Sequence, residues 1–296
     1  HHLIQAIHDA PHQLMLVIAG AGHSALSHLL DVAGASRTLL EALVPYSQAS
    51  FDDFLTRPPA QYVAGATARL LAGRAYTRAQ QLNLADKPVF GLACTAAIAT
   101  DRLKRGDHRA HIARWQQDGV VEYELWLEKG ARTRAEEETL VSRLILHVIA
   151  EGCGVAATLA APLLPPDLPQ ATLTTTPYFY AAAAQALTTG QHHYFGITAD
   201  GLAYPTAAPP LILSGAFNPL HEGHLGMAQA AETLLNQPLA FELAAINVDK
   251  PPLPAEVILA RTSQFAGRYA VLVSDAPTYI QKARLYPGPT LVVGYD

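Results

Sequence analysis

The chain is short of cysteine, of charge and of long apolar runs, and each shortage removes a class of protein. Its 296 residues include only two cysteines, Cys94 and Cys153. These are too few for a disulfide framework and lack the paired spacing of a zinc site. Both read as buried thiols in a reducing compartment, so a cytoplasmic location is expected. Charged residues make up 15% of the chain, with a formal net charge of -5 and a pI near 6.2. No block of like charge appears beyond the pair Lys104-Arg105. A nucleic-acid partner, which calls for a basic stripe, is therefore not expected. No uninterrupted apolar stretch approaches the roughly 18 residues that cross a bilayer, and no membrane partner is expected. His1-His2 opens the chain without a charged region and apolar core behind it, so no signal peptide is read there.

Half the residues are hydrophobic, and the length suffices for two domains with separate cores. Residues 1–165 alternate strand and helix patterns. The run Gln13–Ala19 lies before Gly20 and Gly22 and reads as a buried strand, as do 39–46 and 89–96. Residues 64–82 repeat apolar positions three to four apart and predict a helix. Alternation over 109–115 and 120–127, around Asp118-Gly119, predicts a hairpin. A helix follows over 134–150, its acidic start (Glu136, Glu137, Glu138) suited to the helix dipole and its end marked by Gly152 and Gly154.

Residues 166–209 read as a linker region: Pro162, Pro165, Pro166 and Pro169 break the pattern, a threonine series follows, and Pro205, Pro209 and Pro210 close it. Within it 178–187 suggests a short helix and 191–197 a short strand. Residues 210–296 then alternate strictly, with strands at 211–214, 241–248, 269–274 and 290–294 and helices at 225–236, 254–266 and 278–286. The predicted fold is α/β in two domains, the second a doubly wound parallel sheet with helices on both faces.

The most specific stretch is Ser214-Gly215-Ala216-Phe217-Asn218-Pro219-Leu220-His221-Glu222-Gly223-His224, which leaves a strand and enters a helix. Gly215 permits a close backbone approach, and the helix N-terminus favours an anion. His221 and His224, three apart, project from one face and suit the oxygens of a triphosphate and the charge that grows on the attacked phosphorus. Ser214, Gly215, Ala216, Phe217, Asn218 and Gly223 would line the nucleotide, with His221 and His224 as the catalytic pair. The reaction expected is attack of a substrate phosphate on the α-phosphate of a nucleoside triphosphate, releasing pyrophosphate. The spacing is not that of a metalloprotease helix, and no metal site is expected. His192-His193 and the charged residues from Asp101 to Arg109 read as solvated loops.

This motif resembles the HxGH nucleotidylyltransferases, and the form GAFNPLHEGHL is similar to nicotinate/nicotinamide mononucleotide adenylyltransferases; cytidylyltransferases and phosphopantetheine adenylyltransferases share its core. The likeness continues in Asn247-Val248-Asp249-Lys250-Pro251-Pro252, Lys282-Ala283-Arg284-Leu285 and Val293-Gly294-Tyr295-Asp296. It implies a Rossmann-like domain, ATP with Mg²⁺, a mononucleotide or other phosphate-ester acceptor, Lys250 on phosphate, and Gly294 to Asp296 beside adenosine. The family carries a second phosphate motif, I-S-x-T/S-x-x-R/K, after the last strand; the chain stops at Asp296, so this domain is expected to be truncated.

The first domain resembles the CinA C-terminal domain, a family of nicotinamide mononucleotide deamidases, through Asp31 to Ser36, Val44-Pro45-Tyr46-Ser47, residues 64–71 and residues 136–149. The resemblance places Ala19 at the family's serine nucleophile and Phe51 at its lysine, while Tyr46 is kept and His23 sits in the altered segment. Amide hydrolysis needs an activated nucleophile, so this site is expected to be inactive, and the domain either to bind a pyridine nucleotide without turnover or to serve in homo-oligomer formation. The alternatives are a non-catalytic nucleotide-binding scaffold and an HxGH transferase with another acceptor.

Overall fold

The chain divides into two compact units, each with its own apolar packing. In a computed structural model, the described residues are 1–84, 86–101, 106–155, 171–204, 209–246 and 251–294. Residues 1–116 and 120–177 form one compact unit, and 117–119 with 178–296 form the second.

The first unit runs α1 (His2–Asp9), β1 (Gln13–Ala19), α2 (His23–Leu30), β2 (Leu39–Leu43), α3 (Gln48–Leu55), α4 (Gly65–Leu82), β3 (Val89–Ala97), β4 (His108–Gln116), β5 (Gly119–Leu127), α5 (Arg134–Gly152) and β6 (Ala171–Phe179). Its sheet order is β2-β1-β3-β4-β5-β6, with β1 parallel to β2 and β3, and β3 antiparallel to β4. β1 is buried at every position, which is why it reads as one apolar run instead of an alternation. Leu14, Leu16 and Ile18 face a cluster built with Ile4, Ile7, Ala25, Leu29, Leu144 and Ile145 of α1, α2 and α5. α4 packs on β1, β3 and β4. At Gly91 an added Cβ would lie 2.2 Å from both Ala72 O and Tyr76 N, so a side chain there would push α4 off β3.

The acidic start of α5 does more than complement the dipole. Thr133 and Glu136 close a capping box, and the hydrogen bonds from Thr133 hold the Glu136 carboxyl below its ordinary range. Glu137 and Glu138, by contrast, turn inward and are 0% and 7% exposed. Glu137 accepts from Ala99 N and pairs with His108 Nδ1, at 2.7 and 2.9 Å.

The second unit runs α6 (Ala181–Thr188), β7 (Tyr194–Ile197), β8 (Ala203–Tyr204), β9 (Leu211–Gly215), α7 (Glu222–Leu235), β10 (Leu239–Ala244), α8 (Ala255–Thr262), β11 (Ala270–Ser274), α9 (Tyr279–Leu285) and β12 (Thr290–Val292). The stretch read as a linker thus carries β6 of the first sheet and α6, β7 and β8 of the second unit; its proline-rich part, 162–169, and Pro205 lie outside the described residues. The second sheet has the order β12-β9-β10-β11-β7-β8. Its first four strands are parallel, as expected from the alternation. The expectation of a wholly parallel sheet is corrected: β7 is antiparallel to β11 and β8 to β7. β7 and β8 are joined by a tight turn in which Thr198 Oγ1 donates to Asp200 at 2.6 Å and Gly201 takes a positive φ of 87°. So short a connection only reverses the chain.

Helices cover both faces. Leu211, Leu213, Phe241, Leu243, Val271 and Val273 pack with α6, α7 and α8. Ile212, Ala240 and Leu272 face Leu285 of α9 and the adjoining Tyr286. β10 and β11 lie to one side of β9 and β12 to the other, so the strand order reverses at β9. The carboxyl ends of β9 and β12 consequently flank a crevice of the kind that receives ligands in open α/β sheets.

Candidate functional site

The Ser214–His224 stretch lies at that crevice. β9 ends at Gly215, a cis Asn218-Pro219 bond turns the chain, and His221 caps the N-terminus of α7. Phe217 takes a positive φ of 43° and is 1% exposed. Its ring meets those of Phe241 and Phe265 edge-on at 5.2 Å, and that of His224 at 5.1 Å. Such aromatic contacts stabilise by about 0.5–1.5 kcal/mol each beyond area burial, so Phe217 anchors the turn in the core. A Cβ on Gly215 would stand 2.7 Å from that same ring; the glycine makes room for Phe217. Arg261 Nη1 donates to Ala216 O at 3.1 Å, Gln264 Nε2 to Phe217 O at 3.0 Å, and Leu220 N to Gln264 Oε1 at 2.8 Å. Arg261 and Gln264 were not singled out in the sequence; their signal was only a polar face on the following helix.

The two histidines meet. Their rings stack with centroids 3.6 Å apart and planes 26° apart. The backbone N–H of His221 donates to His224 Nδ1 at 3.2 Å, so Nδ1 is the acceptor nitrogen and the neutral ring carries its proton on Nε2. Burial, then the charge of neighbouring His221, pushes the His224 pKa below 6.5. Gly223 keeps the pair open, since a Cβ there would lie 3.1 Å from the His221 ring. Ser214 Oγ is buried without a hydrogen-bond partner among the described residues. Lys250 and Asp296 lie outside the described residues, and Gly294 is exposed just beyond β12.

Beneath α9 stands a charged cluster that the sequence reading missed. Ser214 is in register with Glu242 on β10. Glu242 is 0% exposed, accepts from Ser274 Oγ, and is paired with Lys282 Nζ of α9, itself 5% exposed. A lone glutamate inside the apolar run of β10 was the available signal, because a buried carboxylate requires a partner.

In the first unit the segment that leads from Ala19 to His23 follows β1. Ala19 is in register with Thr95, and Thr95 Oγ1 donates to Tyr62 O at 2.7 Å. Phe51 is buried with its ring 5.2 Å from that of Tyr62, whereas Tyr46 is 79% exposed. Ala19 and Phe51 therefore converge on one end of the sheet, and Tyr46 stands out in solvent. Glu138 accepts from Gly22 N at 2.7 Å, Ser24 N at 3.1 Å and Ser142 Oγ at 3.0 Å, and lies 3.1 Å from His23 Nδ1. The acid that orients His23 is thus Glu138, more than a hundred residues away. The same carboxylate fills the amides at the start of α2.

No family model matches the chain, and no curated protein matches it. Among solved structures, a competence/damage inducible protein from Agrobacterium tumefaciens is similar at 21% identity and a TM-score of 0.41, over 51% of this chain and 93% of that one. A CinA-superfamily protein from Enterobacter cloacae is similar at 16% identity and 0.39, over 51% and 89%. One from Klebsiella pneumoniae is similar at 13% and 0.36, over 51% and 93%. The likeness covers about half of the chain.

Other histidines have structural partners. His8 sits between Thr38 Oγ1 and Leu29 O, each at 3.0 Å. His193 lies 2.7 Å from Asp275, both toward the solvent side. Both cysteines are buried and free; burial pushes the Cys153 thiol up to about 12 and the Cys94 thiol higher still. Neither is a nucleophile at neutral pH. No helix among the described residues is long and apolar enough to cross a membrane.

Proposed function

We propose that the second unit is a nucleotidylyltransferase that joins AMP from MgATP to nicotinate or nicotinamide mononucleotide, releasing pyrophosphate. One observation carries the reading: His221 and His224 stack at the N-terminus of α7, in the crevice where the strand order reverses, with the His224 proton directed to Nε2. A neutral imidazole N–H and the helix amides suit the oxygens of a triphosphate, and they strengthen as negative charge grows on the attacked phosphorus. No protein nucleophile takes part. Mg²⁺ is read as entering with the nucleotide substrate.

We further read the first unit as a deamidase-like fold without deamidase chemistry. Ala19 offers a methyl group where a hydroxyl nucleophile is needed, Phe51 is turned into the core, and Glu138 already accepts from the N–H groups of Gly22 and Ser24. The protein is read as cytoplasmic and self-associating through this unit.

The test is pyrophosphate release from MgATP with each mononucleotide. Turnover is expected, falling about 10²–10³-fold in His224→Ala. Calorimetric binding of ATP without turnover would favour a nucleotide-binding scaffold, and full activity in His224→Ala would refute the assigned role. Turnover with CTP but not ATP would transfer the reading to a cytidylyltransferase.

A further inference from the structure

The α4 side of the β4–β5 hairpin holds a second cluster, remote in sequence from the histidine pair. Alternation places His111 on β4 and Glu122 and Glu124 on β5, away from the face that carries Ile112, Val121, Tyr123 and Leu125. One donor atom from each of the three side chains lies within 4.8 Å of the others. His111 Nδ1 is 3.2 Å from Glu124 Oε1 and 3.9 Å from Glu122 Oε1. Bonds of about 2.0–2.2 Å to a tetrahedral ion set neighbouring donors roughly 3.3–3.6 Å apart; the observed spacing brackets that value.

A second observation points the same way. His111 is 4% exposed, yet among the described residues its Nδ1 makes no aligned hydrogen bond, with Glu124 Oε1 3.2 Å away. A buried ring nitrogen left so costs free energy unless a ligand meets it.

The surroundings support the donors. Arg69 of α4 pairs with Glu122 Oε2, which leaves Oε1 turned toward His111. Gly65 makes room for that carboxylate, since a Cβ there would lie 1.7 Å from Oε1. The Glu124 side chain is 37% exposed and opens the cluster to solvent. Arg109 is drawn over the Trp126 ring at 5.7 Å.

We infer that His111, Glu122 and Glu124 form a binding site for one Zn²⁺ ion, with a fourth position open to water. The imidazole in the donor set favours Zn²⁺ over Mg²⁺ or Ca²⁺. The proposal departs from the expectation of no metal site, and it is independent of the MgATP reading.

The experiment is calorimetric titration of Zn²⁺ into the full chain in a His1→Ala/His2→Ala/His192→Ala/His193→Ala/His221→Ala/His224→Ala background, which removes the three histidine pairs that could compete. One equivalent is expected, weakened at least about tenfold by His111→Ala and by the isosteric, partly exposed Glu124→Gln. Trp126 gives a local readout, because its ring centroid is 6.2 Å from that of His111. Co²⁺ should quench its emission saturably, and both Glu124→Gln and Trp126→Phe should remove that component. Absence of Zn²⁺ binding in the background protein, or binding and quenching unchanged in both His111→Ala and Glu124→Gln, would overturn the assignment.

Discussion

Replacing Lys282 by methionine tests whether the charge cluster beneath α9 governs the stability of the second unit. In the native chain Lys282 and Glu242 satisfy one another, with Ser274 Oγ as the remaining donor to the carboxylate. Lys282→Met keeps the volume and removes the cation, leaving a carboxylate with 0% exposure and only a hydroxyl for company. Removing one partner of such a pair costs about 3–5 kcal/mol, whereas replacing both by apolar residues is often neutral or stabilising. For a unit of this size the single change lowers the melting temperature by on the order of 10 °C. Differential scanning calorimetry reads the melting, and hydrogen exchange over Leu239–Ala244 and Ala270–Ser274 localises it. Trp115 and Trp126 are the only tryptophans and both lie in the first unit, so their emission reports that unit separately. The expected result is a large loss in Lys282→Met, mostly recovered in Glu242→Leu/Lys282→Met. A loss below about 0.5 kcal/mol, the scale of an ordinary surface change, would refute the reasoning. So would a double variant as unstable as the sum of its parts.

Other expectations are equally direct. Glu138→Gln should destabilise the first unit by about 2–4 kcal/mol through weakened charge-assisted bonds, read as a lower urea midpoint in tryptophan emission and faster exchange at Gly22 and Ser24; an unchanged midpoint would contradict it. Gly91→Ala should cost about 3 kcal/mol or more through overpacking of α4 on β3, and a wild-type midpoint would show that α4 yields freely. His224 should titrate below 6.5 by NMR, and His221→Ala should move it upward by removing a like charge. Its folded pKa is depressed, so the unfolded chain binds the proton first; this group's contribution to stability is intact above pH 6.5 and declines as pH falls toward the folded value. Titration at or above 6.5 would reverse that sign. Cys94 and Cys153 should resist iodoacetamide at pH 8 in the native chain and react in urea, whereas rapid native labelling would place a thiolate at the surface.

Much of the fold was legible because burial leaves a period in the chain. Gln13–Ala19 was read to its observed bounds, and the helix over 64–82 and the hairpin around Asp118-Gly119 were read to within one residue. The histidine pair was legible too, since a glycine-rich exit from a strand and two imidazoles three apart leave a local signature. What escaped were partnerships without sequence proximity. Glu138 read as dipole decoration, but it ties down a loop that precedes it by more than a hundred residues. Phe217 read as a nucleotide contact, but the positive φ at that position and the packing of Phe241 and Phe265 turn it inward. His111, Glu122 and Glu124 looked like polar positions on two alternating strands, and nothing local announced a shared face beneath Arg69.

The sequence by itself determined the periodicities, and with them the α/β class, the parallel run of four strands and the stretch on which the histidines sit. These are local consequences of which residues avoid water and where glycine and proline break the chain. Only the tertiary structure decided that β7 and β8 close the second sheet antiparallel, that Phe217 belongs to the core, and that Glu242 meets Lys282. The same holds for the buried nitrogen of His111 between two carboxylates. The physical reason is common to all four: a strand edge, a buried ring, a buried charge and a buried imidazole each need a partner from elsewhere in the chain, and sequence distance says nothing about which one arrives.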